Sequence, residues 1–140
     1  NSGKPALKPW QKMMIDDKTV APTHGHPADI DGDGDLDVLM AFGLVAPVAA
    51  NSPDSHQIAW YENVGHPGLG THWKKHLIAG SFPQGFEAVS GDLDGDGDQD
   101  VVATGWSPSG QIAWFENTGD SQTAWKQHAI KQNWSNAVTV

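Results

Sequence analysis

The chain of 140 residues repeats itself, and this repeat constrains the fold more than any other feature of the sequence. A tryptophan segment, an acidic run and an aromatic segment occur twice in this order, as WQKMMI, DIDGDGDLDV and QIAWYEN and then as WKKHLI, DLDGDGDQDV and QIAWFEN. A third copy starts with WKQHAI. The leading tryptophans Trp10, Trp73 and Trp125 set repeat periods of 63 and 52 residues. The predicted organisation is a single region, 1–140, with repeat 1 at about 10–72, repeat 2 at about 73–124 and a partial repeat 3 at 125–140.

Each repeat carries the pattern of four short strands. Val, Ile and aromatic residues favour β structure, and clusters of Gly, Pro, Asn and Ser separate the segments that they fill. The predicted strands are A at 26–30 and 86–90, B at 38–42 and 101–104, C at 58–62 and 112–116, and D at 73–78 and 125–130. Four strands in about 50–60 residues is the size of a propeller blade. The sequence therefore predicts an all-β chain of β-propeller blades with four antiparallel strands, about two full blades plus a stray strand at each end.

Two acidic runs hold ten of the seventeen acidic residues, and they explain the formal net charge of −9. In each run Asp occupies positions 1, 3, 5, 7 and 9, and Gly occupies position 6, where the chain must turn sharply. Ca²⁺ prefers about six to eight oxygen ligands, and neighbouring carboxylates repel one another without a cation. We therefore expect two Ca²⁺ ions per chain. The candidate ligands are Asp29, Asp31, Asp33, Asp35 and Asp37 in the first run and Asp92, Asp94, Asp96, Asp98 and Asp100 in the second, with Asp35 and Asp98 offering their backbone carbonyls.

Other metal sites fit these runs less well. The EF-hand and the dockerin repeat need a later acidic ligand and a helix after the loop, which in the EF-hand is a bidentate Glu at position 12. Here Met40 and Ala103 stand at position 12, and the segments DVLMAF and DVVATG that follow are typical of strands. Mg²⁺ keeps its waters and rarely takes an all-protein site. Calcium is therefore the expected ion.

In combination, these motifs resemble the FG-GAP/VCBS repeat. The resemblance rests on D-x-D-G-D-G-D-x-D-V, on QIAWYEN or QIAWFEN, and on W-x-x-H-x-I, and it covers roughly residues 10–140. Repeats of this family build integrin-type β-propellers and many secreted bacterial proteins. The resemblance implies that the aspartates named above are calcium ligands and that the protein is secreted or at the cell surface. Met13 departs from the pattern, because His76 and His128 stand at its place in the later copies.

Composition argues against several classes of function. Outside the acidic runs, seven acidic residues nearly balance eight lysines, and arginine is absent, so we expect no nucleic-acid binding. No apolar run approaches the ~20 residues of a membrane span, so we expect no membrane insertion. The absence of cysteine excludes disulfides and thiolate catalysis. The G-x-S-x-G, H-E-x-x-H and P-loop motifs are also absent, so the sequence favours a protein that is not an enzyme, and we assign no catalytic residue.

The two copies differ most in loops on one face of the predicted blades. In an up-and-down blade the A–B and C–D turns lie on one face, and the B–C and D–A connections lie on the other. Residues that both copies share, such as Trp60 and Trp114, are expected to pack the blade, whereas unshared loop residues are better candidates to bind a ligand. The ligand-binding candidates are His56, Phe82, Gln84, Trp106, Trp134 and Asn136, a set that suits a neutral sugar.

Two further segments carry weaker hypotheses. The apolar segment LVAPVAA at 44–50 is expected either to pack on a neighbouring element or to form an exposed contact patch. His24 and His26 are interpreted as structural residues, with a second metal site or a base as the alternative.

The favoured function is a calcium-binding repeat module for extracellular recognition or adhesion, with a glycan or a protein as its ligand. Two alternatives stay open: the propeller portion of a polysaccharide lyase or sugar dehydratase, which similar propellers form, and a purely structural assembly domain. Closed propellers have about 4–8 blades, and two blades leave unpaired edges. We therefore expect the chain either to self-associate or to be the remainder of a longer chain.

Overall fold

In a computed structural model, which describes residues 11–43, 55–64, 70–121 and 125–137, all regular elements are β-strands. The strands are β1 (Pro22–Ala28), β2 (Asp37–Phe42), β3 (Ile58–Asn63), β4 (Trp73–Ala79), β5 (Gly85–Gly91), β6 (Asp100–Gly105), β7 (Gln111–Asn117) and β8 (Trp125–Lys131). They form two antiparallel sheets in the orders β1-β2-β3-β4 and β5-β6-β7-β8, which we call blade 1 and blade 2. The predicted all-β fold with four-stranded antiparallel blades is confirmed.

The strands form because their apolar residues alternate between the two faces of each sheet. In β2, Leu39 belongs to the core between the blades, whereas Met40 packs in a cluster on the opposite face of blade 1. Across the sheet Trp60 pairs with His76, and the equivalent Trp and His residues pair in blade 2. The repeated sequence therefore gives a repeated register.

The main core lies between the two blades. Blade 1 contributes Ile30, Leu39, Ala41, Ile58, Trp60 and Ile78, and blade 2 contributes Phe82, Ala88, Val101, Ala103, Ala113 and Phe115. A smaller cluster of Phe42, Ala59 and Tyr61, with Val38, Met40 and Trp73 against it, lies on the other face of blade 1. One face of blade 1 is thus covered by blade 2, and its apolar residues are removed from water there.

The stray strand expected at each end is not seen in the described residues. Residues 11–21 and 132–137 form no strand, and the rest of the two predicted segments, 1–10 and 138–140, lies outside the described residues. The physical reason is a missing partner. A strand D preceding blade 1 needs the strand C of its own blade, and without it the backbone N–H and C=O groups have nothing to pair with.

The strand order places the loops as expected. Acidic loop 1, Asp29–Asp37, connects β1 to β2, and acidic loop 2, Asp92–Asp100, connects β5 to β6 at the same end of the blades. The connections that carry the predicted ligand residues leave the opposite strand ends. The predicted contact segment 44–50 lies outside the described residues. Within the described ranges, no helix has the length and apolar character needed to cross a membrane.

Candidate metal centre

Acidic loop 1 is shaped by hydrogen bonds between its aspartates and its own backbone. The N–H of Asp33 donates to Asp31 Oδ1 at 3.2 Å, and the N–H of Asp35 donates to Asp33 Oδ1 at 2.8 Å. Gly34 has φ +94°, a left-handed conformation that glycine adopts without steric cost. Acidic loop 2 repeats the two bonds at 3.1 and 2.9 Å, and its equivalent glycine has φ +101°. The same motif therefore folds in the same way twice.

The last aspartate of each loop anchors the loop to the third strand of its blade. Asp37 is buried, and its two oxygens accept the N–H groups of Ile30 at 3.0 Å and Asn63 at 2.9 Å. Asp100 is also buried and makes the two equivalent bonds at 3.1 and 2.8 Å. Hydrogen bonds to a charged acceptor are stronger than neutral ones, so these carboxylates fix the base of each loop.

The aspartates that approach one another differ between the loops. One carboxylate oxygen from each member lies within 4.8 Å of the others in two groups: Asp29, Asp31 and Asp37 in acidic loop 1, and Asp92, Asp94 and Asp96 in acidic loop 2. The first group is partly or fully buried, and the second is exposed. The predicted ligands outside these groups are Asp33, Asp35, Asp98 and Asp100. The assignment of all ten aspartates as ligands stays a prediction.

Burial and repulsion raise the pKa of two carboxylates of acidic loop 1, those of Asp31 and Asp37. Burial raises the pKa of Asp37 to about 6, although the hydrogen bonds from Asn63 and Ile30 lower it. The charges of Asp31 and Asp33 contribute to this rise. Burial also raises the pKa of Asp31 above its usual value, with the charge of Asp33 adding to the effect. A cation bound among these groups would stabilise their ionised forms.

Asp29 provides the observation that best fits a bound cation. Its Oδ2 accepts the N–H of Gly34 at 3.1 Å, but its Oδ1 is buried and has no hydrogen-bond partner among the described residues. A buried carboxylate oxygen without a partner is unfavourable. Hard oxygen donors are the ligands that Ca²⁺ prefers. The residues therefore fit the expected ion, which Asp29, Asp31 and Asp37 would hold in acidic loop 1.

A cleft separates the two acidic loops and shows why the first is better covered. It has a volume of about 90 Å³, with Asp29 and Asp31 on one side and Asp98, Gln99 and Asn117 of blade 2 on the other. Blade 2 thus forms part of the surroundings of acidic loop 1. The clustered aspartates of acidic loop 2 are exposed.

On the opposite face, the structure links three of the predicted ligand residues. Gln84 donates its N–H to His56 Nδ1 at 2.9 Å, and Trp106 donates its N–H to the Gln84 carbonyl at 2.8 Å. Phe82 is fully buried in the core between the blades and packs edge-on against Phe115, with 5.8 Å between ring centroids. Phe82 therefore contributes no surface to a ligand site, contrary to the expectation, because the core between the blades takes up its ring.

Of the other predicted ligand residues, His56 and Gln84 are partly buried, whereas Trp106, Trp134 and Asn136 are exposed. Trp106 and Trp134 expose 42% and 52% of their surface. Trp134 donates its N–H to the Gly110 carbonyl at 2.8 Å, and Asn136 donates its N–H to the Ser107 carbonyl at 3.1 Å. Ordered loops thus present both indole rings to solvent, as a ligand surface requires.

Histidines that both later copies share are packed inside each blade. Trp60 stacks on His76 at 4.5 Å and Trp114 on His128 at 4.4 Å, and each His contacts a Glu: Glu62 at 2.6 Å and Glu116 at 2.5 Å. His24 and His26 instead approach Glu87 at 3.8 and 3.3 Å, which joins β1 to β5. The described contacts of these histidines are therefore within and between the blades.

Sequence reasoning missed two structural roles. The backbone N–H of Asn63, the last residue of β3, donates to the Asp37 carboxylate, and the Ser121 carbonyl accepts the Nε1–H of Trp60 at 3.1 Å. The role of Asn63 could have been suspected from the sequence, since both aromatic segments end in the same Glu-Asn pair. The role of Ser121 could not, because a backbone carbonyl can belong to any residue type.

Comparison with known proteins agrees with this architecture. The sequence model of the FG-GAP-like repeat matches residues 29–103, which run from the start of acidic loop 1 into β6 and include both acidic loops. Neither a curated protein nor a solved structure gives a match. FG-GAP repeats are typical of extracellular proteins. Since residues 29–103 are 75 of the 140 residues, more than half, the chain belongs to the FG-GAP-like repeat family.

Proposed function

We propose that the chain is a calcium-stabilised propeller repeat module of a secreted or cell-surface protein that serves recognition or adhesion. The observation that carries the calcium part is the carboxylate group of acidic loop 1, in which Asp29 Oδ1 is buried without a hydrogen-bond partner among the described residues. The family's typical extracellular setting supports the location. Calcium sites of extracellular modules bind with dissociation constants of about 10⁻⁴–10⁻³ M, which suits loops with partly exposed ligands.

Calorimetric titration with CaCl₂ tests the sites. We expect two ions per wild-type chain, and one ion per chain for each of Asp31→Asn and Asp94→Asn, because each substitution removes a ligand from one loop only. Asp17→Asn is the matched control, since Asp17 is an exposed aspartate outside both loops. It should keep both ions. No binding to the wild type, or two ions in both loop variants, would contradict the proposal.

A second function, binding of a neutral glycan, is favoured by Trp106. Its ring is exposed, its backbone is tied to Gln84, and blade 1 has Gly43 at the equivalent position. An indole offers an apolar face to sugar C–H groups and an N–H to a hydroxyl. The loop face near Trp106 and Gln84 is therefore the proposed sugar-binding surface.

A glycan array in the presence of calcium tests this second function. Trp106→Ala should lose glycan binding while calcium content and melting temperature stay nearly unchanged, because the ring does not belong to the core. Unchanged binding by Trp106→Ala would place the ligand elsewhere. Turnover of a polysaccharide by the wild type would instead favour the enzyme alternative, and a chain that binds no glycan or protein would favour the structural one.

A further inference from the structure

Residues on one face of blade 1 are buried, and their counterparts in blade 2 are partly buried or exposed. Ile30 and Ile78 expose only 2% and 8% of their surface, because they lie in the core that blade 2 completes. Their counterparts Leu93 and Ile130 expose 47% and 56%. The free face of blade 2 is the surface formed by Leu93, Val102, Ile112, Trp114 and Ile130. Its residues are the counterparts of the blade 1 residues that pack against blade 2. Among the described residues, however, no further blade packs against it.

The indole N–H groups show the same difference. Trp60 donates its Nε1–H to the Ser121 carbonyl at 3.1 Å, and this bond joins blade 1 to blade 2. Trp114 stands at the equivalent position, but its Nε1 is buried and has no acceptor among the described residues. Because buried donors in native proteins are nearly always paired, this unpaired N–H marks an unfinished contact.

The acceptor that Trp114 lacks has a counterpart in blade 1. The Ser121 carbonyl also accepts the Nε1–H of Trp125 at 2.8 Å, and the equivalent bond in blade 1 runs from Trp73 Nε1 to the Gly70 carbonyl at 2.9 Å. In the described residues Gly70 thus accepts one indole where Ser121 accepts two. A carbonyl oxygen has two lone pairs, so Gly70 is able to accept a second indole.

Blade 1 also carries the matching surface. The outer face of blade 1, formed by Val38, Met40, Phe42 and Tyr61, corresponds to the side of blade 2 that packs on blade 1, and it borders an apolar cleft of about 140 Å³. A smaller side chain on the free face of blade 2 is matched by a larger one on the outer face of blade 1. The free face of blade 2 has the smaller Val102 where blade 1 has Leu39, and the outer face of blade 1 has the larger Met40 where blade 2 has Ala103.

We propose that the free face of blade 2 binds the outer face of blade 1 of a second copy of this chain, with the Trp114 indole N–H donating to the Gly70 carbonyl of that copy. Because each copy uses two different faces, the contact is head to tail and either closes into a ring or continues. With two blades per chain, a closed ring of about 4–8 blades contains two to four copies.

The segment after β8 has backbone angles and hydrogen bonds that match those of the connection between β4 and β5, which leads from blade 1 to blade 2. Gln84 and Asn136 are equivalent, and both have positive φ, +52° and +60°. Trp134 stands where Phe82 stands, and its N–H bond to Gly110 matches the bond of Phe82 to His56. Phe82 is buried under the next blade and Trp134 is exposed. The segment is thus shaped to receive a further blade.

Docking has to move one segment of the second copy. Its Ile15 is equivalent to Ile78 and lies on the outer face of blade 1, in the place that Ile130 of the docking copy would take. Residues 11–15 are exposed, and Asp16 ties them down by accepting the hydroxyl of Tyr61 at 2.8 Å. Loosening Asp16 should therefore favour association.

Sedimentation equilibrium from about 1 µM to about 200 µM chain, in calcium, tests the proposal. The wild type should associate from 15.0 kDa toward two to four copies. Ile130→Asp should weaken association at least about tenfold, and Trp114→Phe, which keeps a ring but removes the N–H, should weaken it about two- to tenfold. Val64→Asp is the matched control, because Val64 is exposed and belongs to neither face, and it should associate like the wild type. Asp16→Ala should associate more tightly.

The measured association of the wild type and of each variant either supports or overturns the proposal. A wild type that stays monomeric at every concentration would overturn the proposal, and so would association of Ile130→Asp equal to that of the wild type. Unchanged or weaker association of Asp16→Ala would overturn the proposed arrangement of the two copies. Circular dichroism of each variant confirms that a loss of association is not a loss of folding, and Trp114→Phe supplies an independent reading if Ile130→Asp fails to fold.

Discussion

Blade 1 and blade 2 carry nearly the same sequence pattern in different surroundings. Trp60 is fully buried and bonded to Ser121, whereas Trp114 is half-buried and its indole N–H is unpaired among the described residues. The clustered aspartates are partly or fully buried in acidic loop 1 and exposed in acidic loop 2. The local fold of each motif comes from its own residues. How deeply a motif is buried depends on whether a further blade packs against it. The same motif should therefore contribute more to stability in blade 1 than in blade 2.

The largest expected difference is between two tryptophans. Trp60→Ala should lower the free energy of unfolding by about 3–5 kcal/mol, because it empties the core between the blades. Trp114→Ala should cost less, since Trp114 is only partly buried where Trp60 is fully buried. Urea unfolding at a concentration that keeps the chain monomeric measures both. Equal losses would show that the two blades do not differ in the way described.

Without calcium, substitutions of the anchor Asp37 and of the proposed ligand Asp31 should have different effects on stability. In EDTA, Asp37→Ala should destabilise the fold by about 2–4 kcal/mol, because the N–H groups of Ile30 and Asn63 lose their acceptor. Asp31→Ala in EDTA should be neutral or stabilising, since it removes a charge that repels Asp37. Thermal unfolding of both variants checks this distinction, and a large loss for Asp31→Ala would break it.

A smaller difference is expected when only the indole N–H is removed. Trp60→Phe loses the bond to Ser121 and should cost about 1 kcal/mol or more, since the ring also shrinks. Trp114→Phe removes an unpaired donor and should be close to neutral. At a concentration that keeps the chain monomeric, the difference between the two unfolding midpoints in urea measures the hydrogen bond between the blades. A cost for Trp114→Phe as large as that for Trp60→Phe would show that the Trp114 N–H is satisfied in solution.

The smallest effect concerns the segment that lies on the outer face of blade 1. Burial alone would raise the pKa of Asp16, but hydrogen bonds from Thr19, Lys18 and Tyr61 outweigh it and hold the pKa well below its ordinary value of 3.8. Because the folded pKa is the lower one, Asp16 stabilises the fold above about pH 4 and loses this contribution as the pH falls further. Asp16→Asn should flatten the acid side of the stability profile, whereas Asp17→Asn should not. Identical profiles would contradict the role of Asp16.

Much of the fold followed from the sequence because the repeat is explicit. Seven of the eight strands were predicted to within one residue at each end, and both acidic loops were predicted from the spacing of their aspartates, but β1 starts at Pro22, four residues before the predicted strand at 26–30. These patterns depend on a few neighbouring residues, and each of them occurs in both repeats.

The rest depended on contacts between blades, which a local pattern does not encode. Phe82 looked like a loop residue for a ligand, but it fills the core because blade 2 folds back over blade 1. The expected stray strands did not form in the described residues, because a strand needs neighbours to pair with. The buried Oδ1 of Asp29 and the unpaired N–H of Trp114 likewise appear only once the blades are packed.

Thermal melting of the wild-type chain in EDTA and in excess calcium tests the central claim most directly. Calcium at about a hundredfold excess over its dissociation constant stabilises a folded site by about 2.7 kcal/mol, so two sites should contribute about 5 kcal/mol. For a chain of this size we expect the melting temperature to rise by more than about 10 °C. Asp31→Asn should lose more of this rise than Asp94→Asn, because acidic loop 1 is the better covered. Identical melting curves in EDTA and in calcium would contradict the account.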